Sequence, residues 1–268
     1  MMRGIGARDV ERAARDYEDA YVPALFKAWT SPVLDAARLE PGESVLNVAC
    51  GTGVLAREAA ARVGPAGEVA GVDVSDAMLA VARRIEPAIA WRQAPAEDLP
   101  YDDETFDAVV GQFALMMFRD PPDAVDEMHR VLVPGGRLAM AVLDALEHAP
   151  VHEALVATLE RLGHDVAASA LRVPFAFGDT RLLTTLFEEA AFGAIAIATE
   201  ERLTRVTNVR SLVLADVKGW FPVAELVLDE DQLDAFVTEA EQALAPFVKA
   251  DGTVEFQTRA HILSASRS

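Results

Sequence analysis

Three residues set the first chemical question. Gly51 and Gly53 stand in "GTGVLA", directly after the apolar run "SVLNVAC", and Asp73 closes a second apolar run 22 residues beyond Gly51. Glycines at that spacing let a ligand approach the backbone at a strand-to-helix turn. A carboxylate at the end of the next strand can accept hydrogen bonds from the two ribose hydroxyls of an adenosine. The pattern G-x-G-x-x-A suits a nicotinamide or flavin dinucleotide and S-adenosylmethionine alike. A P-loop is excluded, because no Gly-Lys-Ser/Thr follows. The bland role for Asp73 is that of a carboxylate at the start of the following helix.

The surrounding chain supplies elements to hold such a turn. Apolar runs bounded by turn residues predict strands at 44–49, 68–73, 88–93, 106–111 and 136–143. Helical spacing predicts helices at 54–63, 76–86 and 122–132 between them, with Ser75 as an N-cap and Pro134 ending the third. Strand–helix–strand alternation implies a mostly parallel sheet with helices on both faces. Upstream, Val10, Ala14, Tyr17 and Tyr21 share a helical face; a second helix begins near Pro23, and a third has Ser31 as N-cap and Pro32 in its first turn. Downstream, helices are expected at 151–162 and 180–190. Residues 194–207 and 252–267 alternate as long strands, and helical residues 208–250 separate them. The expected organisation is a helical cover over 1–39, a core of 40–207 plus 251–268, and a helical cap inserted before the last strand over 208–250.

Composition removes several classes of function. The 268 residues carry a net charge of −19, against a nucleic-acid partner or an anionic membrane surface. Cys50 is the one cysteine, so neither an intrachain disulfide nor a cysteine-based zinc site is available. The histidines show no metal-ligand spacing, and no metal is expected. The N-terminus lacks the apolar core of a signal peptide, and no apolar run is long enough to span a bilayer. A soluble cytoplasmic protein, monomer or homodimer, acting on a small molecule, is the expectation.

Further stretches separate the candidate ligands. An acidic, proline-containing loop leads through Phe106-Asp107 into an apolar strand in "APAEDLPYDDETFDAVV". The segment "GQFALMMFRDPPDAVDEMHRVLVPGGRL" then supplies a strand end, a helix and a Pro-Gly-Gly turn. With "VLNVACGTG", this order over residues 40–145 resembles the class I S-adenosylmethionine-dependent methyltransferases of the methyltransferase-domain 11 type. The layout outside that region resembles bacterial natural-product methyltransferases. The resemblance implies a Rossmann-like, seven-stranded α/β fold, with S-adenosylmethionine as cofactor and S-adenosylhomocysteine as product.

Carried over position by position, the family pattern places Ala49, Gly51 and Gly53 along the methionine part of the cofactor and Asp73 on the ribose. Val74 and Met78 would pack on the adenine, and Ala96 and Glu97 would reach its edge. Gln112 would lie under the sulfonium end, and Tyr17 would close the pocket from the N-terminal helix. Two positions depart from the pattern. Asn47 stands where the family has an acid for the cofactor's ammonium group, and Pro95 stands where it has an Asp for the adenine amino group. Asn47 is expected to accept a hydrogen bond without charge, so Asn47→Asp is expected to tighten cofactor binding.

The catalytic residues are not identified by the sequence. His148 and His152, after the fifth strand, are candidates for a general base. Phe113, Met116, Met117, Trp220 and Phe221 are candidates for an apolar substrate pocket. The activity implied is methyl transfer to O, N or C of a small, largely apolar metabolite. The alternative is a methyltransferase fold redirected to non-methylating chemistry, cyclisation or rearrangement, in a natural-product pathway.

Overall fold

The computed structural model describes residues 7–220 and 226–268. Its sheet has seven strands in the order β3-β2-β1-β4-β5-β7-β6. They are β1 (Ser44–Val48), β2 (Glu68–Asp73), β3 (Ala90–Gln93), β4 (Phe106–Gln112), β5 (Leu132–Leu143), β6 (Phe192–Val206) and β7 (Val254–Arg267). The first five strands are parallel: β1 pairs with β2 and β4, β2 with β3, and β4 with β5. Strand order reverses between β1 and β4. In open α/β sheets a ligand crevice forms at such a switch, at the carboxyl ends of the strands. Val45, Leu46 and Val48 of β1 are buried, as a central parallel strand covered on both faces requires.

The helices are α1 (Ala7–Asp16), α2 (Lys27–Ala37), α3 (Val54–Val63), α4 (Asp76–Ile85), α5 (Pro121–Val131), α6 (Pro150–Arg161), α7 (Asp165–Ala170), α8 (Thr180–Glu189), α9 (Val209–Trp220) and α10 (Glu230–Ala243). Sequence signals explain several boundaries. Ser75 Oγ accepts the Met78 N–H at 3.3 Å and starts α4, while the Asp120 carboxylate accepts the Asp123 N–H and starts α5. No described helix is long and apolar enough to cross a membrane.

The N-terminal region differs from expectation. Residues 7–37 are helical throughout, with α1 and α2 joined by a π segment over Tyr17–Phe26 that contains Pro23. The wider π turn accommodates a proline without a break. Ser31 is therefore not an N-cap, and Pro32 lies inside α2. An interior proline costs about 3 kcal/mol. Burial of Trp29, Val33 and Leu34 offsets that cost, as do the hydroxyls of Thr30 and Ser31, which donate to Glu58 of α3 at 2.5 and 2.8 Å. β5 also begins earlier than expected. Its register on β4 jumps from Phe106↔Leu132 to Ala108↔Arg137, so "VPGG" is a bulge within the strand.

The chain divides into two compact units. One holds residues up to Val142, with Thr180–Ala198 and His261–Ser268; the other holds Leu143–Asp179 and Thr199–Ala260. The second unit is larger than the segment 208–250. The reason is a shared core: Val151, Leu155 and Leu159 of α6 and Ala168 of α7 pack with Val213 of α9 and Phe236 and Ala240 of α10.

Candidate functional site

The glycine turn lies at the carboxyl end of β1. Ala49, Gly51 and Gly53 have φ of 50°, 55° and 90°, left-handed values that glycine accepts freely and that cost an alanine about 1–2 kcal/mol. The Gly53 N–H donates to the Cys50 carbonyl at 2.9 Å, closing the turn at the start of α3. Asp73 fixes it from the neighbouring strand. One carboxylate oxygen accepts the Gly51 N–H at 2.8 Å and the other accepts the Ser75 N–H at 2.8 Å. Asp73 thus tethers the turn to the start of α4, a structural role beyond the ribose contact that the family pattern gives it. Burial raises its carboxyl above the usual range, against those backbone donors.

Gly53 has a different reason to be glycine from the one expected. A Cβ there would stand 2.4 Å from the indole of Trp91, and one at Gly71 would stand equally close to the same ring. Gly71 and Trp91 are register partners on β2 and β3. The indole therefore fills the space left by two glycines, and its Nε1 donates to the Glu86 carbonyl at 2.8 Å. Trp91 and Gly71 were not singled out in the sequence. An aromatic residue paired with a glycine on the next strand is the signal that could have found them.

Asn47 is almost fully buried, 1% exposed. Its Nδ2 donates to the carbonyls of Val110 at 3.1 Å and Val48 at 3.3 Å, which fixes the amide orientation. Oδ1 then has no donor. Gln112 repeats the arrangement. Its Nε2 donates to the Phe26 carbonyl at 2.9 Å, and its buried Oε1 has no donor. The register Asn47↔Val110 and the period of two place both amides on one face of the sheet, at adjacent strand ends. Thr52 Oγ1, in the turn itself, is a third buried oxygen without a partner.

Tyr17 covers the turn. Its ring stands 3.8 Å from the Cβ position of Gly51 and 5.2 Å, centroid to centroid, from Phe26. Burial raises the phenol well above its ordinary pKa, and the Asp73 carboxylate adds to the effect. Phe113, with φ of 52°, packs on Phe26 and Trp29 at centroid distances of 6.0 and 5.7 Å. Ala96 is buried, Met78 and Met116 are half-buried, and Val74 and Met117 are exposed. One oxygen of Glu97 is engaged by the backbone: Oε1 accepts the N–H groups of Arg119 and Asp120 at 2.7 and 3.1 Å, ahead of α5. Burial pushes its carboxyl upward, but these backbone donors and Arg119 outweigh that and hold it low.

The two candidate bases lie in the second unit. His148 Nδ1 is 3.1 Å from an Asp144 oxygen, and the ring is 44% exposed. His152 Nε2 is 3.8 Å from Asp216, with Phe175 and Phe256 around the ring. Burial pushes His152 down to about 4 and Asp216 up to about 7. The side chain of Trp220 and the whole of Phe221 lie outside the described residues. Among the described residues, no group of three or more His, Cys, Asp or Glu could hold a metal ion.

Comparison with known proteins agrees with this geometry. Residues 46–140 match the family described as methyltransferase domain. Demethylmenaquinone methyltransferase of Symbiobacterium thermophilum is 39% identical over 118 residues, 42% of this chain and 47% of that protein. A 2-phytyl-1,4-naphtoquinone methyltransferase of Thermosynechococcus vestitus is 40% identical over 119 residues, 43% of this chain and 53% of that protein. The chain spans about half the length of these curated relatives. The fold recurs in YcgJ of Bacillus subtilis, with a TM-score of 0.58 and 18% identity over 90% of this chain and 98% of that one. It recurs also in the [4+2]-cyclase SpnF, with a TM-score of 0.52 and 21% identity over 90% and 80%. Residues 46–140 therefore form a domain of the class I S-adenosylmethionine-dependent methyltransferase family, of the methyltransferase-domain 11 type.

Proposed function

We propose that this chain binds S-adenosylmethionine at the glycine turn and transfers its methyl group to a small, largely apolar acceptor. One observation carries the reading. Three buried oxygens, Asn47 Oδ1, Thr52 Oγ1 and Gln112 Oε1, surround the turn and the adjoining strand end without donors. A buried acceptor left alone costs about 1–3 kcal/mol. A set of such acceptors beside the carboxylate of Asp73 suits a ligand rich in N–H groups and positive charge. S-adenosylmethionine fits that description, with its ammonium and sulfonium groups.

The residues then divide the work. Asp73 would accept from the ribose with the acceptor capacity that its two backbone bonds leave. Ala49 and Gly51 would border the methionine part, Gln112 would face the sulfonium end, and Tyr17 would exclude water. Met78, Val74 and Ala96 are proposed for the adenine, with Pro95 presenting no carboxylate. Bound cofactor supplies an activated methyl group, so the protein's main contribution is alignment at about 3–3.5 Å. Phe113 and Met116 are proposed as apolar walls. His148, oriented by Asp144, is the better formed of the two candidate proton acceptors. The quinone-pathway names of the curated relatives favour an apolar aromatic acceptor.

Calorimetric titration with S-adenosylmethionine and S-adenosylhomocysteine tests the reading, with mass analysis of any co-purified ligand. Saturable binding of one equivalent is expected. A protein that gives no heat with either ligand and carries no cofactor would remove it.

A further inference from the structure

The missing acid at position 47 raises a question of charge. We propose that Glu18, on the π segment, supplies the carboxylate that pairs with the cofactor's α-ammonium group. This deepens the reading above and rests on it.

A guanidinium ties Glu18 to the turn. Arg57 of α3 donates through Nη2 to Glu18 Oε1 at 2.7 Å and through Nη1 to the Thr52 carbonyl at 2.6 Å. Thr52 stands between Gly51 and Gly53. The clamp uses one oxygen of Glu18 and leaves Oε2 buried without a donor. The π segment that carries Glu18 is anchored at both ends. Tyr17 lies against Gly51, and the Phe26 carbonyl accepts from Gln112. Both anchors belong to the ligand end of the sheet, so the backbone that holds Glu18 is fixed where the cofactor is expected.

The charges and donors match a primary ammonium. Its three N–H groups need three acceptors, at least one of them anionic to offset the buried charge. Asn47 Oδ1 and Thr52 Oγ1 are neutral, and Glu18 Oε2, tied to the turn through Arg57, is a charged oxygen that still lacks a donor. Arg57 balances one carboxylate. With Asp73 counted, the group keeps two carboxylates against one guanidinium, which leaves room for a cation. The segment 17–26 is thus a part of the cofactor site, not merely its cover.

Titration calorimetry with two ligands tests this: S-adenosylhomocysteine, and its desamino analogue, in which hydrogen replaces the ammonium group. Native protein is expected to prefer S-adenosylhomocysteine. In Glu18→Gln, affinity for S-adenosylhomocysteine is expected to fall about tenfold, the scale of a charge-assisted hydrogen bond made neutral, while the desamino analogue changes less than twofold. Equal losses for both ligands would show that Glu18 only shapes the π segment, and would overturn the proposal, as would no loss at all. Should Glu18→Gln melt at a lower temperature, Glu18→Asp is the companion variant. It keeps the charge, so it must keep a preference for S-adenosylhomocysteine. If native protein binds neither ligand, the methyltransferase reading itself fails and takes this proposal with it.

Discussion

Trp91 and Gly53 meet so closely that the indole occupies the place of a side chain at position 53, at 2.4 Å. A glycine that the family pattern keeps open for a ligand is filled on its Cβ side by an aromatic ring. Gly53→Ala should therefore act on the fold before it acts on binding. Overpacking costs about 1–3 kcal/mol, and a left-handed alanine adds about 1–2 kcal/mol. In a Trp91→Ala background the overpacking part should vanish and only the backbone part remain. Thermal unfolding of the four proteins of the cycle measures the coupling.

Asn47→Asp reverses the effect expected from the family pattern. The amide nitrogen already donates to the carbonyls of Val48 and Val110, so a carboxylate would turn an oxygen toward both. Two donated bonds are lost and a charge is buried among acceptors. The variant should be destabilised by about 2–4 kcal/mol and should bind S-adenosylhomocysteine more weakly. Chemical denaturation and calorimetry read the two effects separately. A stable variant with tighter binding would restore the simpler family role.

Asp73→Ala should weaken cofactor binding at least tenfold through the lost contact to ribose. It should also lower stability by about 1–3 kcal/mol, because the Gly51 and Ser75 N–H groups lose their acceptor. Asp73→Asn keeps one acceptor oxygen and should lie between the two. Full native stability in Asp73→Ala would contradict the tether.

The pair His152–Asp216 gives the second unit a pH signature. Asp216 titrates at about 7 in the folded chain, above the 3.8 of a free aspartate, so the folded state holds the extra proton between those values. Stability from this group is present below about 4 and is lost as pH rises through about 7. His152 acts in the opposite sense. Its folded value of about 4 lies below 6.5, so its contribution is present above 6.5 and is lost as pH falls through about 4. Asp216→Asn should raise the melting temperature at pH 8 relative to native and change it less at pH 5. A lower melting temperature at pH 8 would mean that the carboxylate is held by His152 in its charged form.

The parallel half of the fold is legible because its signals are local. Apolar runs set β1, β2 and β4, Ser75 caps α4, and positive φ falls at Gly51 and Gly53. What was not legible depends on partners distant in sequence. Pro23 and Pro32 read as breaks, because nothing in the sequence announces a π turn at one or the clasp of Glu58 on α2 around the other. Glu97 reads as a free carboxylate in the sequence, and only the fold brings the backbone N–H groups of Arg119 and Asp120 onto one of its oxygens. Asn47 reads as a weaker aspartate, and only the carbonyl of Val110, across the sheet, shows that its nitrogen is the working end.

The division into two units has a consequence for modular exchange. The chain passes between them four times, and two of those passages fall inside the strands β6 and β7, at 198/199 and 260/261. A relative's second unit cannot be grafted by swapping one contiguous cassette, since it is built from two separate segments and the cuts at 198/199 and 260/261 would each sever a strand in mid-ladder. Deleting 208–250 would likewise leave the outer halves of β6 and β7 attached and without the core that Phe236 and Val213 provide. Variation in this half of the molecule is therefore confined to substitutions and loop-length changes, with the shared strands as its fixed frame.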